Sequence, residues 1–313
     1  MAARIWQRGG ERPVDGVLTF TPALLTRLLK VVGPTRVPGY PDIVTAANVD
    51  SRVEYYVHGE ASLGKIPSQR KEFLSDLARA VLDRTLHAPP SELPHLGEAL
   101  SSSLVRREAS VWSNKPDVQA AIAGLGWDGA LPNQPGDFYA DAEFAFESKN
   151  GRHLLRTFDH AVVLSQDGSG SSSTTMVVRD TVPYVPYINF DSHAYITPYG
   201  PQDGVLLPTS DPMDASQADL AGHPSGGWLR SAPPLGQATL RVGWQAPNLL
   251  LRRSDGLWLY RLIWLPQPGH SGDVLNLRVA LPAGWKWRGT APPRSVNLSG
   301  PYTGEWLVQP GGS

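Results

Sequence analysis

One strand-and-helix segment near the start of the sequence constrains the fold most strongly. The β-branched and aromatic run over residues 17–20 predicts a strand, and Thr21 and Pro22 then supply an N-cap and a first helical position. Apolar residues recur at helical spacing over residues 24–32, and the Gly33-Pro34 pair ends the helix. The segment therefore predicts a βα unit, and on its own it indicates structure and no particular chemistry.

Helical patterning continues through the first part of the chain. We predict helices over residues 46–57, 68–86, 91–112 and from 114 or 116 to 125. The second of these is the clearest, because its apolar residues form one stripe and its charged residues stay off that stripe. With the opening βα unit, these helices indicate an incomplete α/β lobe over residues 1–136.

From about Asp137 the pattern changes to short strand-like runs separated by glycine and proline. The runs cover residues 138–147, 153–164, 174–182, 193–197, 238–244, 257–265 and 274–281. Such spacing predicts an antiparallel β-sandwich over residues 137–313, with a hairpin tip at 168–173 and a mobile loop at 208–234. The predicted fold class is therefore α+β with two domains, as the length also suggests.

Composition excludes several kinds of site. The sequence has no cysteine among 313 residues, so disulfides, thiol nucleophiles and cysteine-ligated metals are excluded. Its formal net charge is -1 and no basic run is interleaved with aromatics, so nucleic acid is not predicted as a partner. No stretch approaches the roughly 18–20 apolar residues of a membrane span, and the first residues lack the apolar core of a signal peptide.

Motif searches give no cofactor or metal site. The G-x-G-x-x-G match over residues 124–129 follows a helix instead of a strand, so it indicates a helix end and turn. Glu54 and His58 are four residues apart on a predicted helix, but no third ligand has convincing spacing. Three polar residues on a predicted strand are interpreted as surface groups: His153, Asp159 and His160. We predict neither a metal nor a cofactor.

Tryptophan is frequent in the second half of the chain. We interpret Trp244, Trp258 and Trp264 as core residues because they lie inside strand-like runs. Trp285 and Trp287 are two residues apart, so on a strand they share one face, and Lys286 and Arg288 share the other. This pair is our candidate platform for stacking a glycan ring.

Short motifs along almost the whole chain carry a family resemblance. They occupy residues 14–17, 22–24, 32–38, 45–49, 69–74, 125–131, 149–156, 267–269 and 279–284. In this order the motifs resemble the bacterial family named domain of unknown function 4012. Members of that family usually begin with a membrane-spanning helix before the first motif, and only residues 1–13 precede it here. The resemblance implies the C-terminal part of a longer envelope protein, anchored to the membrane through that missing N-terminal segment.

A more distant resemblance concerns the first half alone. The strand at 17–20, the helix ending at Gly33 and the start of the long helix at 69–71 are similar to the LytR–CpsA–Psr transferases, which attach glycopolymers to the bacterial cell wall. Arginines of those enzymes bind a polyprenyl pyrophosphate, as guanidinium groups pair bidentately with phosphate. The resemblance implies Arg70 as the first phosphate-binding candidate, with Lys71 and Arg52 second. The acidic metal-holding residues of that group lie upstream, so no catalytic residue is assigned.

The sequence is compatible with three functions. The leading one is a non-catalytic part of an extracytoplasmic cell-envelope protein whose partner is a surface glycopolymer or another envelope protein. The second is an enzyme, a phosphotransferase that attaches glycopolymers from polyprenyl pyrophosphate carriers. The third is a structural surface module whose sandwich mediates assembly.

Overall fold

The computed structural model of the protein describes residues 2–59, 64, 67–146, 151–185, 189, 192–216, 220–270 and 272–311. The fold is α+β with a sandwich-like arrangement of strands, which confirms the predicted fold class. The chain divides into two compact units, residues 1–130 and 131–313. None of the described helices is both long and apolar enough to cross a membrane.

The first unit is mainly helical. Its described helices are α1 (Ala2–Arg8), α2 (Pro22–Val32), α3 (Val49–Val53), α4 (Pro67–Leu86), α5 (Leu93–Val105) and α6 (Pro116–Gly124), with a π-helical turn (Glu54–His58) after α3 and a 3₁₀ turn (Pro90–Glu92) before α5. Four short strands pair antiparallel: β1 (Gly16–Phe20) with β4 (Ala109–Ser113), and β2 (Thr35–Arg36) with β3 (Ile43–Val44). The unit is therefore a helical cluster bordered by two small sheets.

The predicted βα unit is present. Pro22 begins α2, and Thr21 holds the N-cap position in an extended conformation without a side-chain capping bond. Gly33 ends the helix at φ +76, a conformation that glycine adopts without strain. The apolar face of α2 packs into a core with side chains of α4: Leu24, Leu25, Leu28, Leu29, Phe73, Leu77 and Val81. This core holds the first unit together.

The predicted helix over residues 91–112 is wrong in its second half. Helix α5 ends at Val105, Arg107 adopts φ +59, and the chain returns as strand β4. Strand β4 supplies the hydrogen-bonding partner that β1 needs, a long-range pairing that local periodicity does not reveal. Arg27 fixes the turn, because its guanidinium donates to both carboxylate oxygens of Glu108 at 2.7 and 2.8 Å.

The second unit is built from strands. They are β5 (Asp137–Phe146), β6 (Leu154–Leu164), β7 (Gly170–Asp180), β8 (Ser192–Tyr199), β9 (Val205–Leu206), β10 (Ala215–Ser216), β11 (Gly226–Ala232), β12 (Gln237–Ala246), β13 (Leu250–Arg252), β14 (Trp258–Leu265), β15 (Asp273–Ala280), β16 (Trp285–Arg288), β17 (Ser295–Leu298) and β18 (Tyr302–Pro310). One sheet has the order β10-β11-β8-β5-β14-β18-β16, with β13 also on β14, and the other has β17-β15-β6-β7-β12-β9. The two sheets share one hydrophobic core.

Two strand pairs depart from a purely antiparallel arrangement. Strand β5 pairs parallel to β14, and β6 pairs parallel to β15. The strand order puts both β5 and β6 inside their sheets, and Tyr139 of β5 contacts Phe158 of β6 across the core. Trp264 of β14 is wholly buried there and stacks on Tyr139 of β5 with ring centroids 4.2 Å apart, as the core prediction for Trp264 requires. Trp244 is also buried, whereas Trp258 is only half-buried.

Two sequence predictions in this unit are wrong. Residues 170–173 belong to strand β7 and not to the hairpin tip, because they pair with β6 on one side and with β12 on the other. The segment 208–234 contains β10 and β11 and is not one loop; Trp228 within it is wholly buried. Gly227 in this segment allows close packing and does not mark a loop, since a Cβ there would clash with the Tyr195 hydroxyl oxygen.

Candidate functional site

The phosphate-binding candidates lie in the first unit. The backbone places Arg70 in the first turn of α4, but its side chain lies outside the described residues. Lys71 follows it and is exposed. Arg52 of α3 is engaged elsewhere, because its Nη2 lies 3.5 Å from Asp42 Oδ1, and the other Asp42 oxygen accepts a 2.6 Å hydrogen bond from Tyr56. The guanidinium of Arg52 therefore has a carboxylate partner of its own.

A row of half-buried aromatic side chains lies at one end of the larger sheet. We call it the aromatic edge, and it consists of Trp258, Trp285, Trp287, Tyr302 and Trp306. Its members come from strands β14, β18 and β16, and β16 is the last strand of the sheet. Every member packs against the hydrophobic core while keeping part of its ring exposed.

The strand register puts these rings on one face of the sheet. Trp258 and Trp287 are both paired with Val308, and Tyr260 is paired with Trp306. Directly paired residues project to the same side, so the aromatic edge continues the inner face that carries the fully buried Tyr260. Lys286 and Arg288 alternate with the two tryptophans of β16 and are exposed. Trp285 and Trp287 are thus neither fully buried nor fully open.

Contacts between the rings fix their positions. Trp285 lies 5.5 Å from Trp258 between ring centroids, and Trp287 lies 6.2 Å from Tyr260. Trp306 stacks on Tyr260 at 5.6 Å with an interplanar angle of 24°. The indole of Trp306 also lies over Gly304, where an added Cβ would come within 2.0 Å of the ring. The aromatic edge is therefore ordered before any ligand arrives.

The indole N–H groups of the aromatic edge differ from those of the core tryptophans. Trp228 donates its N–H to the Asp211 carbonyl at 2.9 Å, and the N–H groups of Trp244 and Trp264 are buried without a partner among the described residues. Those of the four tryptophans in the aromatic edge bond to no described residue, yet they are not among the buried unpartnered atoms. Water or a ligand can therefore accept hydrogen bonds from them.

A second polar feature, the Arg156 centre, lies inside the sandwich. We define it as Arg156 of β6, Asp141 and Glu143 of β5, Asp273 of β15 and His270. The Arg156 guanidinium is fully buried; its Nη1 donates to Asp141 at 2.6 Å and to Glu143 at 2.7 Å, and its Nε and Nη2 donate to Asp273. His270 Nε2 lies 3.4 Å from Glu143. Three carboxylates therefore surround one guanidinium.

This charge imbalance gives the two carboxyl groups of β5, Asp141 and Glu143, different pKa values. Burial raises the pKa of Asp141 to about 6, against the attraction of Arg156. Burial acts in the same direction on Glu143, but Arg156 and the hydrogen-bonded His270 together lower the pKa of that carboxyl to about 2. Within the described part of the chain, one Asp141 oxygen is buried without a hydrogen-bond partner, which agrees with a carboxyl that holds a proton readily. The Arg156 centre lies in the interior, and it is a structural and titratable element of the sandwich.

His160 corrects a sequence prediction. It was expected at the surface, but it is buried, and its ring nitrogens lie 2.8 Å from the Thr174 hydroxyl and 2.9 Å from Asp137. Thr174, His160 and Asp137 are residue types that form a catalytic nucleophile, base and carboxylate in some enzymes. Here all three side chains are buried. In the interior, these side chains satisfy one another's hydrogen-bonding groups. The alternating polar pattern of β6 cannot distinguish this inward position from an outward one.

Spacing in the sequence makes one pair, Glu54 and His58, a candidate for part of a metal site. Among the described residues, no group of three or more histidine, aspartate or glutamate side chains is arranged to hold a metal ion. Glu54 and His58 both lie in the π-helical turn after α3.

Comparison with known proteins gives little guidance. No family profile and no curated protein matches the chain. A solved structure of a candidate nutrient-binding protein from Legionella pneumophila matches 56% of this chain and 71% of that one, at 10% identity and a TM-score of 0.32. An M1 zinc metallopeptidase from Deinococcus radiodurans matches 52% of this chain at 14% identity and a TM-score of 0.22, and this chain covers 40% of it. Likenesses this weak carry no argument about fold or function.

Proposed function

We propose that this protein binds carbohydrate through the aromatic edge of its second unit. The observation that carries the proposal is the set of four half-exposed indole rings, held in place by contacts with one another, with Tyr260 and with Gly304. In this proposal the chain acts as a binding protein and leaves its ligand chemically unchanged.

The chemistry of sugars fits such a row. A pyranose ring has one face of C–H groups, which stacks on the electron-rich face of an aromatic ring. Its hydroxyl groups lie around the rim and accept hydrogen bonds from donors beside the stacking surface. The aromatic edge provides half-buried indole rings, and the N–H groups of these rings bond to no described residue. Rings already fixed in place also lose little conformational freedom on binding.

The proposed setting comes from the sequence resemblance. Similarity to the bacterial family named domain of unknown function 4012 favours an extracytoplasmic protein of the cell envelope, and a surface glycopolymer is the carbohydrate we propose there. The family assignment is itself part of the proposal.

The phosphotransferase alternative has a weaker basis in the described structure. It depends on Arg70, Lys71 and Arg52 acting together on pyrophosphate. Arg52 is already paired with Asp42 at 3.5 Å, and Lys71 contributes one exposed ammonium group. Arg70→Ala would test this alternative directly: it predicts a loss of binding to a polyprenyl pyrophosphate, whereas the carbohydrate proposal predicts no change in glycan binding.

The main experiment compares the parent chain with a Trp285→Ala/Trp287→Ala variant on a glycan array, followed by calorimetric titration with each glycan that binds. We expect the double variant to lose about tenfold or more in affinity, because two stacking surfaces are removed. The matched control is Trp112→Ala, which removes an exposed tryptophan of β4 in the first unit.

Two outcomes would contradict the proposal. The first is that the parent chain binds no glycan on the array. The second is that the double variant binds as the parent does while its melting temperature shows that it is folded. If self-association of the chain falls instead of glycan binding, the assembly-module alternative is favoured.

A further inference from the structure

A groove in the first unit is lined by none of the residues of the aromatic edge. It has a volume of about 740 Å³ and lies between the β2–β3 hairpin and the C-terminal half of α4. Three arginines line it: Arg36 from the hairpin, and Arg79 and Arg84 from the helix. We call it the arginine groove.

The positive charges of the arginine groove are only partly balanced. Arg79 is paired with Asp76 at 2.9 Å, so these two groups neutralise each other. Arg84 donates to the main-chain carbonyl of Val32, a neutral acceptor, and forms no ion pair with any described residue. Arg36 is exposed and forms no ion pair with any described residue. Asp83 is the other carboxylate of the lining, and its Oδ1 lies 3.3 Å from the His87 ring.

The rest of the lining is largely apolar. Ile43 is paired with Arg36 across the hairpin and lines the groove, and 44% of its surface is exposed. Two prolines and an alanine complete this part of the wall. A cavity of this volume, with apolar walls and a few convergent charged groups, has the character of a small-molecule site.

We propose that the arginine groove binds an organic anion, a phosphate or carboxylate group carried on an apolar body. The oxyanion lies between the guanidinium groups of Arg36 and Arg84, which match its geometry bidentately, and the apolar body covers Ile43. This inference is independent of the carbohydrate proposal, because it rests on other residues in the other unit.

The test uses calorimetric titration of the full chain with hexyl phosphate, hexanoate, inorganic phosphate and hexanol. We expect saturable binding of hexyl phosphate, of hexanoate or of both, weaker binding of inorganic phosphate and none of hexanol. Arg36→Gln should weaken the binding at least about fivefold, because a charge-assisted hydrogen bond is lost. Arg8→Gln, which removes an exposed arginine of α1, should leave it unchanged.

Ile43→Ser separates the apolar contribution from the ionic one. This substitution should weaken the binding of hexyl phosphate or hexanoate and leave the binding of inorganic phosphate unchanged. The proposal is overturned if neither organic anion binds, if Arg36→Gln binds like the parent chain, or if inorganic phosphate binds as tightly as hexyl phosphate. Preference for hexyl phosphate over hexanoate, or the reverse, identifies the oxyanion.

Discussion

The Arg156 centre predicts an unusual dependence of stability on pH. Folding moves the pKa of Asp141 from 3.8 to about 6, so between these values the folded protein keeps a proton that the unfolded chain loses. Stability therefore falls as the pH rises through this window. Folding moves the pKa of Glu143 from 4.5 to about 2, so there stability rises with pH. Together the two carboxyls predict a maximum near pH 4.

The magnitude follows from the size of these changes. Each corresponds to about 3 kcal/mol, because one pKa unit is worth about 1.4 kcal/mol. Asp141→Asn resembles the protonated aspartic acid at every pH. We therefore expect the variant to match the parent chain near pH 3 and to exceed it by about 3 kcal/mol above pH 7.

Urea unfolding from pH 3 to pH 8, followed by tryptophan fluorescence, measures this difference. The control is Asp203→Asn, which makes the same substitution at an exposed position of the same unit, outside the Arg156 centre. The reasoning is refuted if the parent chain gains stability between pH 4 and pH 6.5, or if Asp141→Asn keeps the fall seen in the parent.

Other predictions concern single contacts in each unit. Glu108→Gln breaks the bidentate pair with Arg27 and should cost the first unit about 1–2 kcal/mol, measured by urea unfolding; an unchanged midpoint would exclude a stabilising role for this pair. Gly304→Ala places a Cβ 2.0 Å from the Trp306 indole and should displace that ring, costing about 1–3 kcal/mol and weakening glycan binding. Circular dichroism in the near-ultraviolet detects the ring displacement, and an unaltered spectrum would contradict it. Two unfolding transitions are expected from the two units, and one coincident transition by all probes would contradict that expectation.

Local signals identified many elements of the fold. The α2 helix was predictable because proline, apolar spacing and glycine all act within one segment. The strand β4 was missed because its formation depends on pairing with β1, more than eighty residues earlier, and local periodicity does not contain that information. Long-range pairing also explains why the parallel neighbours of β5 and β6 could not be anticipated.

In the candidate sites, too, local spacing was predictable and long-range contacts were not. Two-residue spacing was enough to put Trp285 and Trp287 on one strand face. Their contacts with Trp258 and Tyr260 depend on the order of strands in the sheet, which the sequence does not display. The inward position of His160 required the partner Asp137 on another strand.

Carbohydrate binding at the aromatic edge is tested most directly by nuclear magnetic resonance. The isotopically labelled protein is titrated with a glycan that binds on the array, and the indole N–H resonances are followed. The sequence contains 10 tryptophans, so each indole gives one assignable signal. We predict that the signals of Trp258, Trp285, Trp287 and Trp306 shift on binding, while those of the buried Trp244 and of Trp112 in the first unit stay in place. Shifts confined to other tryptophans, with these four unchanged, would contradict the account.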